Sequence, residues 1–343
     1  MNGLYIGNTQ QWSDSIPTHL EDFLFSPNAL GARFQRLRCE AQSNLYADQE
    51  KLRIYLGTYF PRSFCESRNL HTLLLGLDPV RQLWSQKRTI HILDFGSGTG
   101  GNVCGLVQAL ADSGIKAKVH VYSIDGNKEA LMYQRILLEH MQEHIGITVD
   151  LTVINEVFPN DPEGFSQKFR QVVATLPHQL DLIMAWKSLS ELFIADQTSF
   201  VGSYTPFFEI SAPLLAQDGL MTVLDVTIKA RQKWLPVVLS KDLRQFLNNQ
   251  TDVALIIPFG CAQRQDHCPA RGCYPKFEFS VSHQDCGYDP IKFSFFALGR
   301  KDLAKSILKR APVDAPCQDE LGKPAAVVSR LRPLSLYGKI VER

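Results

Sequence analysis

Long apolar runs are missing from this 343-residue chain. Its longest runs, such as LIIPF at 255–259, fall far short of the roughly 20 residues that a membrane-spanning helix needs. The N-terminal segment has no basic cluster before an apolar run and contains Asp14, Glu21 and Asp22. Neither a secretory signal nor an Arg-rich transit peptide is therefore indicated, and we expect a cytoplasmic protein without a membrane contact.

An excess of charge of either sign is also missing. Thirty-six basic residues stand against thirty-five acidic ones, a net charge of +1, so no strongly basic face for a nucleic-acid backbone is indicated. Low-complexity tracts and repeats are absent, and 45% of the residues are hydrophobic, which is typical of globular domains. In a cytoplasmic protein, the eight cysteines are more often reduced, catalytic or metal-bound than paired in disulfides.

The character of the chain changes near residue 88. Residues 1–88 carry apolar side chains at helical spacing, and we expect Pro17, Pro27 and Pro61 to divide this region into short helices. From residue 89 onward, helical segments separate the strand-like runs TIHILDF, KVHVYSID, ITVDLTVIN, DLIMAW and GLMTVLDV. This alternation predicts right-handed βαβ units in an α/β fold with a doubly wound, mainly parallel sheet.

Two later runs, KFEFSVSH and IKFSFFALG, predict an antiparallel hairpin at the edge of a seven-stranded sheet. The predicted organisation is then a helical region at 1–88, an α/β domain at 89–300 with a cysteine-rich loop at 258–290, and a C-terminal β extension at 301–343.

The segment LDFGSGTGGN, residues 93–102, predicts a cofactor site. Glycines between a strand and a helix let the backbone approach a ligand closely, and the helix N-terminus offers free N–H groups. The spacing of Gly96, Gly98 and Gly101 also fits the dinucleotide pattern G-x-G-x-x-G, so a nicotinamide cofactor remains an alternative.

One carboxylate favours S-adenosylmethionine (SAM) over a dinucleotide, and a second suits the ribose that both cofactors have. Asp94, two residues before the first glycine, would repel a pyrophosphate but suits the cationic amino group of SAM. Asp125 closes the second strand, where it could accept the hydroxyls of a ribose. The predicted cofactor-binding residues are Asp94, Gly96, Ser97, Gly98, Gly100 and Asp125.

The segment DLIMAWKSLSEL, after the fourth strand, lies where a methyl acceptor would approach. It lacks the Asn/Asp-Pro-Pro-aromatic run of enzymes that methylate base amino groups, and no cysteine nucleophile occurs between Cys104 and Cys261. Trp186, Lys187 and Glu191 are the weak catalytic candidates. A core tryptophan, a solvated lysine and an i,i+4 ion pair between Lys187 and Glu191 would explain them as well.

Three cysteines, Cys261, Cys268 and Cys273, fall within thirteen residues of a Gly/Pro-containing loop. Such a loop seldom has a core in which thiols can be buried, so a metal or cluster site is favoured over three structural cysteines. The spacing C-x6-C-x4-C does not identify the metal, and a fourth donor must come from elsewhere. The further candidate donors are Cys286, Cys317, His267 and His283.

Several segments together resemble the methyltransferase-like family that is associated with the small subunit of the mitochondrial ribosome and has bacterial members. The resemblance lies in ILDFGSGTGG, DLIMAWKSLSEL, IIPFGCAQRQDHCPARGCYPKFEFSV and IKFSFFALGRK, and it spans roughly residues 45–340. Ser190 stands where the family has Asn. The family belongs to the class I SAM-dependent methyltransferases, so the resemblance implies a Rossmann-like sheet with bound SAM.

The resemblance also implies an iron–sulfur cluster, of the 4Fe-4S type, with zinc as the alternative metal. Its ligands would be Cys261, Cys268, Cys273 and, in PCQDELGKPAAVVSR, Cys317, whereas Cys286 has no counterpart. Three functions remain open: a methyltransferase of unknown substrate, a non-catalytic SAM-binding assembly factor that contacts the small ribosomal subunit or its rRNA, and a SAM-using enzyme that acts on a small metabolite.

Overall fold

The structure is a computed structural model that describes residues 5–6, 9–10, 13–36, 45–195, 199–230, 233–263, 273–311 and 339–341. The helices are α1 (Thr18–Phe25), α2 (Gln49–Leu75), α3 (Asp78–Ser85), α4 (Gly101–Asp112), α5 (Lys128–Ile145), α6 (Pro162–Val173), α7 (Leu189–Leu192), α8 (Thr205–Ser211), α9 (Leu235–Asn248), α10 (Phe259–Gln263) and α11 (Lys301–Leu308). The strands are β1 (Tyr5–Ile6), β2 (Thr9–Gln10), β3 (Ser13–Ser15), β4 (Thr89–Phe95), β5 (Lys118–Asp125), β6 (Val149–Asn155), β7 (Leu180–Trp186), β8 (Ile194–Ala195), β9 (Ser199–Phe200), β10 (Leu215–Val226), β11 (Lys229–Ala230), β12 (Lys233–Trp234), β13 (Val253–Ile257), β14 (Tyr274–His283), β15 (Cys286–Arg300) and β16 (Lys339–Val341).

The central sheet has the order β16-β14-β15-β10-β7-β4-β5-β6, with β13 paired to β15 and β3 paired to β14. The strands β10, β7, β4, β5 and β6 run parallel, and β15 runs antiparallel to both β10 and β13. Crossover helices connect the parallel strands, because a parallel neighbour cannot be reached by a tight turn. The predicted fold class, an α/β fold with a doubly wound, mainly parallel sheet, is confirmed.

Alternating side chains of the parallel strands supply two cores, one on each face of the sheet. In β4, Ile90 and Ile92 join the core under α1 to α5 and α11, whereas Leu93 and Phe95 join the core under α6, α8 and α9. Such a sheet is buried on both faces, which leaves the rim at the carboxyl ends of its strands for a ligand. No helix in the described ranges is long and apolar enough to cross a bilayer.

The helix α2 corrects one prediction, because Pro61 lies inside it rather than at its end. Sixteen of the 27 residues of α2 are buried, and burial of this many residues outweighs the roughly 3 kcal/mol that an interior proline costs. Its contact with α4 is close: a Cβ added to Gly105 would lie 2.2 Å from the carbonyl oxygen of Phe64. Pro17 and Pro27 do flank α1, as expected.

The β14–β15 hairpin forms as predicted, but β15 is interior, since β10 and β14 lie on either side of it. The sheet contains ten strands rather than seven, because β3 and β13 were not predicted and β16, from the predicted C-terminal β extension at 301–343, joins the same sheet. That extension is not all β, since it begins with the helix α11. Both ends of β14 have a second partner: residues 280–282 pair with β3, and residues 274–276 pair with β16.

Candidate functional site

The glycine loop after β4 forms the floor of a cleft at the carboxyl ends of β4, β5, β7 and β10. Gly96, Gly98 and Gly100 have φ of 68°, 53° and 82°, a left-handed conformation that favours glycine. The backbone N–H of Gly96 donates to the carbonyl of Ile124 over 2.8 Å, which fastens the loop to the end of β5. A Cβ at Gly96 would come within 2.0 Å of the Cβ of Ser188, so the loop also packs closely against the segment after β7.

Asp94 is fully buried at the end of β4, and neither of its carboxylate oxygens has a hydrogen-bond partner among the described residues. Burial raises the pKa of Asp94 to about 7, with a smaller increase from Asp125, although the nearby amide of Asn102 offsets part of the effect. A buried carboxylate without a donor is costly, because desolvation disfavours its charged form. This orphaned group fits a cationic ligand at this position.

Asp125 ends β5 and has partners already. Its Oδ2 accepts from the backbone N–H of Gly98 and its Oδ1 from that of Asn127, each over 2.8 Å. Burial raises the pKa of Asp125, and these hydrogen bonds lower it in part. Asp125 therefore holds the glycine loop in shape, and each carboxylate oxygen keeps a lone pair for a ligand hydroxyl.

Lys187 follows β7 in a left-handed conformation, with φ of 63°, which is uncommon for a residue with a side chain. Its backbone N–H donates to the carbonyl of Leu224 over 2.7 Å, and its ammonium group forms an ion pair with Glu66 of α2. The i,i+4 pair with Glu191 considered from the sequence is thus wrong. Burial raises the pKa of Glu66, and Lys187 offsets part of this increase.

Trp186 packs in the core, where only 3% of its surface is exposed. Its ring stacks on His71 with centroids 5.3 Å apart, and its Nε1 donates to Oγ1 of Thr222 over 3.1 Å. This position favours a structural role over a direct contact with cofactor or substrate. His71 is buried as well, which lowers its pKa to about 4 and keeps the stacked ring neutral at pH 7.

Glu191 lies on the short helix α7 and is exposed to solvent. Desolvation by the surrounding protein, followed by repulsion from Asp125 and Asp225, raises the pKa of Glu191, and Lys187 lowers it in part. Contact of the exposed side chain with solvent weakens this increase in the pKa of Glu191. Glu191 is therefore held near two other carboxylates on the same rim.

Two further residues of the cleft were missed from the sequence, Asp225 and Tyr55. Asp225, near the end of β10, accepts hydrogen bonds from the hydroxyls of Tyr204 and Ser190 over 2.5 Å and 2.7 Å. Tyr55, on α2, lies near Glu191 and Asp125, since repulsion from both carboxylates adds to burial in raising its pKa. The sequence signal that could have found Asp225 is its place at the end of an apolar strand, as with Asp94 and Asp125.

Two of the predicted metal ligands, Cys261 and Cys273, lie beside α9 near Arg244. Arg244 of α9 donates to the Sγ of the buried Cys273 over 3.2 Å, and it lines a small, mainly apolar cavity together with Cys261. The remaining predicted ligands, Cys268 and Cys317, and the candidate donor His267 lie outside the described residues.

Cys286 and His283 lie at the opposite end of the β14–β15 hairpin, where they are register partners. The ten residues of β14 separate them from Cys273 by roughly 30 Å at 3.3 Å per residue. Neither residue can therefore share a metal ion with Cys273. The sulfur of Cys286 is instead placed 3.3 Å from the carbonyl oxygen of Tyr288.

No protein-family model matches the chain, and no curated protein matches its sequence. Among solved structures, the DszA carbon methyltransferase is 15% identical over 72% of this chain and 58% of its own length, with a TM-score of 0.39. The Podospora anserina methyltransferase PaMTH1, solved with bound S-adenosylhomocysteine, is 14% identical over 84% of this chain and 91% of its own, with a TM-score of 0.37. A putative class I SAM-dependent methyltransferase from Listeria monocytogenes is 13% identical over 71% and 61%, with a TM-score of 0.37.

The chain thus spans less than two thirds of DszA and of the Listeria protein. At these identities and TM-scores, the similarities give no information about the activity or the substrate of this chain. The fold assignment rests on the strand order and directions of the sheet itself.

Proposed function

We propose that the chain is a SAM-dependent methyltransferase that holds SAM in the cleft above the glycine loop. The observation that carries this proposal is Asp94, a fully buried carboxylate with no hydrogen-bond partner in the described structure. An ammonium group beside it would restore the lost solvation and return the pKa of Asp94 towards its ordinary value. A dinucleotide pyrophosphate would instead bring negative charge to the same buried group.

The other cleft residues fit the same cofactor. The first turn of α4 has backbone N–H groups without an intrahelical acceptor. Asp125 keeps lone pairs for ribose hydroxyls, and Tyr55 of α2 offers an aromatic face. SAM would supply a methyl group on a positively charged sulfur. The carboxylates of the rim favour that charge, and the ammonium group of Lys187, which lies near Glu191 and Asp225, is paired with Glu66.

Glu191 is the best candidate for a proton acceptor among the residues singled out from the sequence. It is exposed at the cleft, and its raised pKa suits a general base that works near neutral pH. Lys187 is a weaker candidate, because its ammonium group is held by Glu66. The acceptor substrate, whether a macromolecule or a small metabolite, is left open by these residues.

Calorimetric titration with SAM tests the cofactor assignment. We expect the wild-type chain to bind SAM and Asp94→Asn to bind at least 30-fold more weakly, since loss of one partner of a buried charge pair costs about 2–5 kcal/mol. Asp150→Asn is the matched control, because Asp150 is a half-exposed surface carboxylate paired with Lys118. Equal affinity of wild type and Asp94→Asn would overturn the assignment.

A non-catalytic role in assembly of the small ribosomal subunit is the second candidate. The observation that favours it is the engagement of Lys187 with Glu66, which removes one of the few cleft residues that could act as a base. This role predicts SAM binding without methyl transfer, together with co-sedimentation with small subunits that weakens steeply with salt. Turnover of SAM in the presence of a cell extract, without co-sedimentation, would favour the enzyme.

We also propose that an iron–sulfur cluster, or zinc in its place, binds the cysteine-rich loop. Two observations support this proposal: Cys261 and Cys273 both lie near Arg244 of α9, and β16 pairs with β14 directly after Cys273. The second observation brings the C-terminal part of the chain to the site, as a downstream ligand requires. The proposed ligands are Cys261, Cys268, Cys273 and Cys317.

Anaerobic purification tests the cluster. A brown protein with stoichiometric iron and sulfide is expected, Cys273→Ser should lose both, and Cys286→Ser should keep both because Cys286 lies at the far end of β14. A colourless protein with stoichiometric zinc would assign zinc, and a protein without bound metal would remove the site.

A further inference from the structure

We propose that the C-terminal half of α5 carries a surface site for a divalent transition metal, such as Zn²⁺, formed by His140, Glu143 and His144. The three side chains lie at positions i, i+3 and i+4, which share one face of a helix. One ligand atom from each lies within 4.8 Å of the other two, and no second group of this kind occurs in the described part of the chain.

Hydrogen bonds already orient both imidazole rings. The Nδ1–H of His144 donates to the carbonyl of His140 over 2.9 Å, which leaves Nε2 of His144 with its lone pair. The Nε2–H of His140 donates to the carbonyl of His19 over 3.2 Å, which leaves its Nδ1. Metal-binding histidines commonly donate their second nitrogen to a carbonyl in this way, because the bond fixes the tautomer and the ring orientation.

His19, on α1, completes the surroundings of the site. Its ring centroid lies 4.2 Å from that of His144 and 5.8 Å from that of His140. The Nε2 of His19 is buried there without a hydrogen-bond partner among the described residues. A bound metal ion, or a water on that ion, would give this nitrogen a partner.

The donor set selects the class of ion. Imidazole nitrogens with one carboxylate suit zinc, copper or nickel rather than calcium or magnesium, which prefer oxygen ligands. A tetrahedral zinc at 2.0–2.1 Å from each ligand holds the ligand atoms about 3.4 Å apart, so from separations of up to 4.8 Å the side chains close by at most about 1.4 Å. Glu143 and His144 are exposed and can make this movement.

A metal ion at this site would stabilise the fold rather than take part in methyl transfer. His140 lies thirteen residues after Asn127, the N-cap of α5 beside Asp125, and this corresponds to about 20 Å along the helix. His140 also stacks on Phe23 of α1, with centroids 4.0 Å apart. A metal ion that fixes His140 would therefore hold α1, and with it the N-terminal region, against the α/β sheet.

Metal binding to the full-length, untagged chain tests the proposal. After dialysis against a chelator, the wild type should bind one more zinc ion than His144→Ala or Glu143→Gln in equilibrium dialysis. His178→Ala is the matched control, because His178 is an exposed histidine outside this group, and it should bind as wild type does. Zinc at 100-fold above its Kd should raise the Tm of the wild type, but not that of His144→Ala, by several degrees.

Co²⁺ separates this site from the cysteines. Cobalt bound here should show no thiolate charge-transfer absorption, and its binding should be lost in His140→Ala. If either alanine variant fails to fold, Glu143→Gln decides, since Glu143 is exposed and its change leaves the fold intact. Zinc stoichiometry that is the same in wild type and Glu143→Gln, or cobalt spectra with thiolate bands only, would overturn the proposal.

Discussion

The cleft buries one carboxylate at its glycine-loop end and another at its β10 end, and the two have opposite surroundings. Asp94 forms no hydrogen bond within the described residues, although the amide of Asn102 lies near enough to lower its pKa in part. Asp225 accepts from the hydroxyls of Tyr204 and Ser190 and from the backbone N–H of Val226. Burial raises the pKa of both, to about 7 for Asp94 and to about 6 for Asp225. The comparison separates Asp94, which is free to bind a ligand, from Asp225, whose hydrogen bonds hold neighbouring parts of the protein together.

The largest effect is expected at the β10 end. Asp225→Ala leaves the buried hydroxyls of Tyr204 and Ser190 without their acceptor, and we expect it to lower the free energy of unfolding by about 2–4 kcal/mol. Urea denaturation at pH 7 measures the change. Asp150→Ala, at an exposed surface ion pair, is the control and should cost less than about 1 kcal/mol. Equal losses of unfolding free energy in the two variants would show that Asp225 does not stabilise the fold through its buried hydrogen bonds.

At the glycine-loop end, replacing the carboxylate should raise the free energy of unfolding rather than lower it. Asp94 has a higher pKa in the folded chain, about 7, than in the unfolded chain, about 3.9. The stability that its neutral form provides is therefore present at low pH and is lost as the pH rises towards 7. We expect Asp94→Asn to stabilise the ligand-free chain by about 1–3 kcal/mol at pH 8 and by little at pH 4. A variant that is less stable than wild type at pH 8 would show that Asp94 has a donor after all.

The affinity for SAM should follow the ionisation of Asp94. With a pKa of about 7, the carboxylate is about 9% ionised at pH 6 and about 76% ionised at pH 7.5, so SAM should bind roughly five- to tenfold more tightly at the higher pH. Calorimetry in buffers of different ionisation enthalpy should also detect proton release on binding. An affinity that does not change across this range would separate SAM binding from the charge of Asp94.

The smallest effect is expected for a single hydrogen bond to Asp225, at the β10 end. Ser190→Ala removes one of the three donors to Asp225 and should cost about 1 kcal/mol of unfolding free energy. The same change should raise the pKa of Asp225 further, because its hydrogen bond to Ser190 lowers that pKa. NMR titration of the Asp225 carboxyl carbon measures this shift, and Ser203→Ala, whose hydroxyl donates to Asp242 instead, is the control.

The parts of the fold and site that could be predicted are those encoded by neighbouring residues. β4, the glycine loop and the start of α4 are continuous in the sequence, so a short motif contains Asp94 and its surroundings. Glu66 could not be predicted in this way, because it reaches Lys187 from 121 residues earlier in the chain. The prediction at Pro61 was wrong for the same reason. Local propensity ends a helix at a proline, but the long-range contact with α4 keeps α2 continuous through Pro61.

The pairing of β14 has a consequence for protein synthesis. Its outer edge is closed by β3, from near the start of the chain, and by residues 339–341, which follow more than fifty residues after β14. A nascent chain therefore exposes the part of this edge beside residues 274–276 until residue 341 has left the ribosome. Chains cut short before residue 339 keep unpaired N–H and C=O groups there, and we expect them to add to one another as strands and be removed by quality control.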